Sequence, residues 1–102
     1  MALITKTPYE IDSYYVDFVE RLATGETIAL VSVTSVNMAT GLDSTAEIVA
    51  TSPAPYVSGT QVIFWYQGGV VGEEHVISAR VTTSANRSLE GTVDLQVQEE
   101  EQ

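Results

Sequence analysis

The sequence predicts an all-β protein: an immunoglobulin-like antiparallel β-sandwich of about six or seven short strands, with an extended N-terminal arm and a single helical turn near Phe18-Leu22. Three observations predict it. Threonine, valine, serine and isoleucine are abundant while lysine occurs once, which is a β-rich composition. The stretch from Val62 to Val97 reads as three consecutive strands, its last part alternating Leu89, Gly91, Val93, Leu95 and Val97 with Ser88, Glu90, Thr92, Asp94, Gln96 and Gln98. No segment carries a long helical pattern, and turn signals recur at regular spacing.

The bulk composition sets the frame for these elements. A chain of 102 residues fits one domain, able to bury roughly 65% of its unfolded surface. Its apolar fraction of 44% and mean hydropathy of +0.09 are those of a globular domain. The net charge of −10 comes from fourteen carboxylates against four cations. That balance argues against a nucleic-acid binder or an anionic-membrane binder, both of which depend on Lys and Arg. Without cysteine there is no disulfide, thiolate nucleophile or zinc–sulfur site. The start, Met1-Ala2-Leu3-Ile4-Thr5, has no signal-peptide character, and no apolar run reaches membrane-spanning length, so the expectation is a protein made in the cytoplasm.

In chain order, residues 1–13 read as an N-terminal arm or edge strand, because Pro8 lacks a backbone donor. Residues 14–98 form the sandwich and residues 99–102 an acidic, solvated tail. From Tyr14 the chain is extended through Asp17. About one helical turn follows, with Gly25 as a left-handed stop and Asp17 read first as its cap, ahead of a calcium ligand with Asp12 or a catalytic acid. Thr27 to Ser35 is a β-branched strand with Ala29, Val31 and Val33 on one face. Asn37 to Ser44 reads as loop, Thr45 to Thr51 as a short strand, and Ser52-Pro53-Ala54-Pro55-Tyr56 as a kinked connection. Gln67 to Glu74, with its three glycines, suits a hairpin between the first two strands of the Val62–Val97 stretch. Ser84 to Ser88 is a tight turn in which Asn86 takes the left-handed region.

Candidate chemistry is sparse. Glu73-Glu74-His75 is the one cluster with metal-ligand character, but a metal site needs three or four convergent ligands and a general base needs a partner in a cleft. His75 is therefore read as a strand residue. Serines are too common for a Ser-His-Asp pattern to carry information. The Gly68-Gly69 loop lacks a phosphate-cradling pattern and stands beside glutamates. Trp65, Tyr66, Phe64 and the Tyr14-Tyr15 pair read as a stacking platform or, more simply, as sandwich core and interface. The residues thus predict no enzyme, no metal and no cofactor, and point to an interaction module.

Two further segments carry a family resemblance. Tyr14-Tyr15-Val16-Asp17-Phe18, leading to Leu22-Ala23-Thr24-Gly25-Glu26-Thr27-Ile28-Ala29, resembles the amino-terminal signature of small immunoglobulin-like virion structural proteins of tailed bacteriophages. Val62-Ile63-Phe64-Trp65-Tyr66-Gln67-Gly68-Gly69, then Gly72-Glu73-Glu74-His75-Val76-Ile77 and Val81-Thr82-Thr83-Ser84-Ala85-Asn86-Arg87-Ser88, is similar to that family's central and downstream blocks. His75 stands where the family has tyrosine, and Tyr66 where it has an apolar residue. The resemblance implies a non-enzymatic virion protein in repeated copies. Its place would be a neck or tail adaptor or fibre anchor, with capsid decoration as the close alternative and a carbohydrate-binding module as the more distant one. Its partners would be other virion proteins of the neck, tail, fibre or capsid, with no nucleic acid and no membrane.

The candidate contact residues are Leu3, Ile4 and Tyr9 in the arm, the pair Val70-Val71, and the acidic tail. An apolar pair at a glycine-flanked turn is unexpected in solvent unless it folds back or meets a partner.

Overall fold

The computed structural model describes residues 2–99. Seven strands make two sheets: β1 (Ala2–Lys6), β2 (Asp12–Asp17), β3 (Ile28–Asn37), β4 (Tyr56–Ser58), β5 (Gln61–Tyr66), β6 (Glu74–Thr83) and β7 (Ser88–Val97). One sheet has the order β1-β7-β6-β3 and the other β2-β5-β4. The two face each other as a β-sandwich, with a 3-10 turn at Val19–Arg21 and one helical turn, α1, at Thr45–Ile48.

Period-2 patterning decides which side chains enter the core. Val62, Phe64 and Tyr66 of β5 point inward, as do Ile77, Ala79 and Val81 of β6 and Val93, Leu95 and Val97 of β7. Gly91 holds the next inward position of β7, where a Cβ would stand 2.7 Å from Val16 Cγ1 and 3.5 Å from the Phe18 ring. The missing side chain is thus the space that lets Phe18, 1% exposed, close that end of the core.

Four details differ from the expectations. The first two are at the N-terminus: residues 2–6 take the edge-strand alternative, but β1 pairs with β7 in parallel, Ile4 against Leu95, so the sandwich is not wholly antiparallel. Ile4, expected at a contact, is a core residue only 6% exposed; its apolar side chain gains more from burial on β7 than from any exposed position.

The third correction concerns Gln67 to Glu74, which is not a hairpin. It carries the chain from β5 in one sheet to β6 in the other. Close approach explains the glycine pair, since a Cβ on Gly68 would lie 2.6 Å from the Glu47 carbonyl oxygen and one on Gly69 2.6 Å from Val97 Cγ2. The fourth is at Thr45 to Thr51, which opens with the α1 turn rather than a strand. The Asp43 carboxylate accepts the Thr45 backbone N–H at 2.8 Å and the Thr45 hydroxyl at 2.6 Å, and Ile48 is buried beneath. These bonds also hold the Asp43 pKa below its ordinary value.

The expected helical turn follows β2. Asp17 accepts N–H from Val19 at 2.9 Å and the Thr60 hydroxyl at 2.8 Å, so it braces the turn and the β4–β5 connection together. The Thr60 bond, then the Val19 bond, lower its pKa. Gly25 has φ +83° beyond the turn. Asn86 takes φ +61° in the β6–β7 turn. Among the described residues no helix is long and apolar enough to cross a membrane. Of the acidic tail, Glu100, Glu101 and Gln102 lie outside the described residues.

Candidate interaction surface

The ends of β1, β3, β5 and β7 and the start of β6 gather at one end of the sandwich, as the strand directions require. Three connections therefore meet there: 7–11, 38–44 and 67–73. Their exposed apolar side chains are Tyr9, Ile11, Met38, Leu42, Val70 and Val71. Glu10, Asp12, Asp43, Glu47, Glu73, Glu74 and Glu99 share this end, while its one cation, Lys6, is 2% exposed. The opposite end holds the arginines. Arg87 donates to Glu26 from Nη2 and Nε at 2.6 and 2.9 Å, and Arg21 donates to the Glu90 carbonyl at 2.6 Å. The molecule is thus bipolar, with an acidic, apolar end and an end of paired arginines.

Glu73 is the hub that stiffens the first end. Its carboxylate accepts the Val70 N–H at 2.9 Å, the Asn37 amide at 3.2 Å and faces His75 Nε2 at 3.2 Å. The Val70 bond is the chief reason its pKa falls below the ordinary glutamate value, with His75 adding to it. The other ring nitrogen of His75, Nδ1, lies 2.8 Å from Ser44 Oγ, which lies 2.8 Å from Ser35 Oγ. Lys6 donates from Nζ to the carbonyls of Thr7 and Gly68, tying β1 to the crossover. Burial lowers the Lys6 pKa, with Glu10 opposing. The Met38 N–H reaches the Glu74 carbonyl at 2.9 Å and the Gly72 N–H the Val97 carbonyl at 2.9 Å. Val70 and Val71, 61% and 43% exposed, are therefore presented on a braced tip and do not fold back onto the core.

Two constellations suggested by the sequence look different in three dimensions. Glu47 joins Glu73 and His75 so that one ligand atom from each lies within 4.8 Å of the others. Glu47 comes from α1, so its approach had no signal in the sequence. Both nitrogens of His75 are nevertheless already engaged by Ser44 and Glu73, and the set closes as a hydrogen-bonded hub. Ser44, His75 and Glu73 also stand in line, but Ser44 is 6% exposed and its hydroxyl is shared with Ser35, so no substrate carbonyl has an approach to it.

The contact candidates separate. Tyr9, Val70 and Val71 share the loop end, whereas Leu3 stands on the outer face of β1 and Ile4 is in the core. The supposed stacking platform also divides: Phe64 and Tyr66 point inward, and Tyr14 packs on Phe64 with centroids 6.0 Å apart. Trp65 and Tyr15 face outward instead. With Ile63 and Tyr56, which are register partners, they form an outer row on the three-stranded sheet. Sequence reasoning missed Met38, Leu42 and Tyr56, all in or beside connections where periodicity gives no signal.

No curated protein matches this chain. A family model does: that of podophage GP4 fiber-tail adaptor protein gp77, across residues 6–96. That match spans most of the sandwich, from Lys6 at the end of β1 to Gln96 near the end of β7, and the chain belongs to this podophage protein family.

Proposed function

We propose that this protein is a non-enzymatic structural adaptor of a podophage virion that joins tail fibre to tail through protein–protein contacts. The family match over residues 6–96 supports the adaptor role. The observation that carries the mechanism is the braced loop end, where Val70 and Val71 are exposed on a tip held by Glu73. A rigid apolar tip loses little conformational entropy on docking, which favours affinity from a small area. The carboxylates around it repel other copies of an acidic chain and attract a basic partner surface.

The test is reconstitution. Purified protein is mixed with the tail and fibre proteins of the same phage, and ternary complexes are measured by light scattering. Wild type bridges the two. The Val70→Ser/Val71→Ser pair keeps its circular dichroism spectrum and loses one of the two contacts. Bridging that survives this pair would remove the tip from the interface. Particle stoichiometry adds a second check: about a dozen copies or fewer fit a tail ring closed by cyclic symmetry, whereas hundreds place the protein on the capsid.

A further inference from the structure

Among the edge strands of the sandwich, β2 carries an unusual pattern. β2 is the terminal strand of the three-stranded sheet, paired only with β5. The Trp65 carbonyl accepts the Ala50 N–H at 2.9 Å, so Trp65 turns its backbone polar groups away from β2. Its register partner, Ser13, must then turn its own N–H and C=O away from β5, and by the two-residue period so must Tyr15 and Asp17. The Ser13 N–H is taken by its neighbour's carboxylate, Asp12 Oδ1, at 2.7 Å. The Ser13 carbonyl, both Tyr15 groups and the Asp17 N–H receive no backbone bond among the described residues.

The other long edge strand is covered along its C-terminal part. On β3 the outward groups of Ser35 are met by the Ser44 N–H and the Thr45 hydroxyl, those of Asn37 by Leu42 and Gly41, and a bulge interrupts the register at Ile28/Leu30. Those are the usual ways of blunting an edge. Around β2 the segment 7–20 instead exposes four apolar side chains, Tyr9, Ile11, Tyr15 and Val19, interleaved with four exposed carboxylates, Glu10, Asp12, Asp17 and Glu20, and contains no cation. A second copy would bring the same carboxylates against these, so charge excludes self-pairing. A strand with Lys or Arg between apolar residues meets both features at once.

We propose that β2 is a docking edge, and that its occupant is an extended, basic and apolar segment of a partner virion protein that adds as a fourth strand to the three-stranded sheet. Backbone bonds to Ser13, Tyr15 and Asp17 would fix its register, and its side chains would lie against Tyr15 and the outer row. This rests on the adaptor reading and supplies a second contact, distinct from the Val70–Val71 tip.

The probes are overlapping synthetic peptides covering the tail and fibre proteins of the same phage, with the intact proteins run beside them. Binding is read by fluorescence anisotropy, and the docked edge by amide exchange at Tyr15. A basic, apolar peptide should bind, weaken as salt rises, and slow exchange of the Tyr15 amide. Asp12→Lys and Tyr15→Pro should each weaken it about tenfold or more, because one reverses the local charge and the other removes an outward donor that β5 does not use. If an intact partner binds but no peptide does, or if both variants bind it like wild type, the β2 edge is refuted while the adaptor stands. If neither intact protein binds, both fall together.

Discussion

Replacing Leu3 and Ile4 one at a time separates the sheet from the surface most sharply. The two are adjacent and similarly apolar, yet Leu3 is 53% exposed and Ile4 6%. Ile4→Ala removes three buried carbons from a position opposite Leu95 on β7. Buried Ile→Ala changes cost about 2–5 kcal/mol, and an edge strand that can relax belongs in the lower part of that range, about 2–3 kcal/mol. For a domain near this size each kcal/mol lowers the melting temperature by about 4–8 °C, so Ile4→Ala should melt roughly 8–24 °C below wild type. Leu3→Ala should stay within about 0.5 kcal/mol, or a few degrees. Thermal unfolding followed by circular dichroism decides the matter. Equal shifts for the two variants would mean that β1 is not seated on β7 in the parallel register described, and that residues 2–6 act as a free arm after all.

Other expectations follow from the same contacts. Gly68→Ala combines φ +64° with a Cβ 2.6 Å from the Glu47 carbonyl, and should cost clearly more in urea unfolding than Gly41→Ala, where the strained φ acts alone at about 1–2 kcal/mol. Ser44→Ala leaves the buried Nδ1 of His75 without its protein partner and should destabilise by about 1–3 kcal/mol in the same assay, with Ser44→Thr milder. Bonds from Arg87, Thr83 and the Ala23 N–H hold the Glu26 pKa down from 4.5 to about 2. The folded state therefore favours the carboxylate: its contribution is complete above about pH 4.5 and is lost as pH falls toward about 2. Wild type should lose urea resistance between pH 5 and pH 3, and Glu26→Gln should start lower at pH 6 and fall less steeply; parallel pH curves would contradict the assignment.

Much of this molecule could be read from alternation alone. Val62 to Tyr66, Glu74 to Thr83 and Ser88 to Val97 each place their inward residues where a period of two puts them, because a half-buried strand has no other way to separate apolar from polar side chains. Asn86 and Gly25 marked their turns because left-handed backbone is open to few residues. Alternation says nothing about which sheet a strand joins. The Gln67–Glu74 connection looks locally like a hairpin, and only the approach of Gly68 to α1 and of Gly69 to Val97 reveals a crossing between sheets. The Val70–Val71 tip was visible as an apolar pair between glycines, but its bracing by Glu73, Asn37 and His75 comes from residues up to 36 positions apart.

The sequence by itself determined the all-β class, the faces of the three last strands, the turn after β2, and a family signature. Those depend on neighbours within a few residues, where propensity and periodicity act. The tertiary structure decided the parallel seat of β1, the burial of Ile4 and Lys6, the hub around Glu73, and which backbone groups of β2 face outward. Each of those is settled by a partner distant in the chain, and a Ser13 that turns its backbone outward does so because Trp65 has turned toward Ala50.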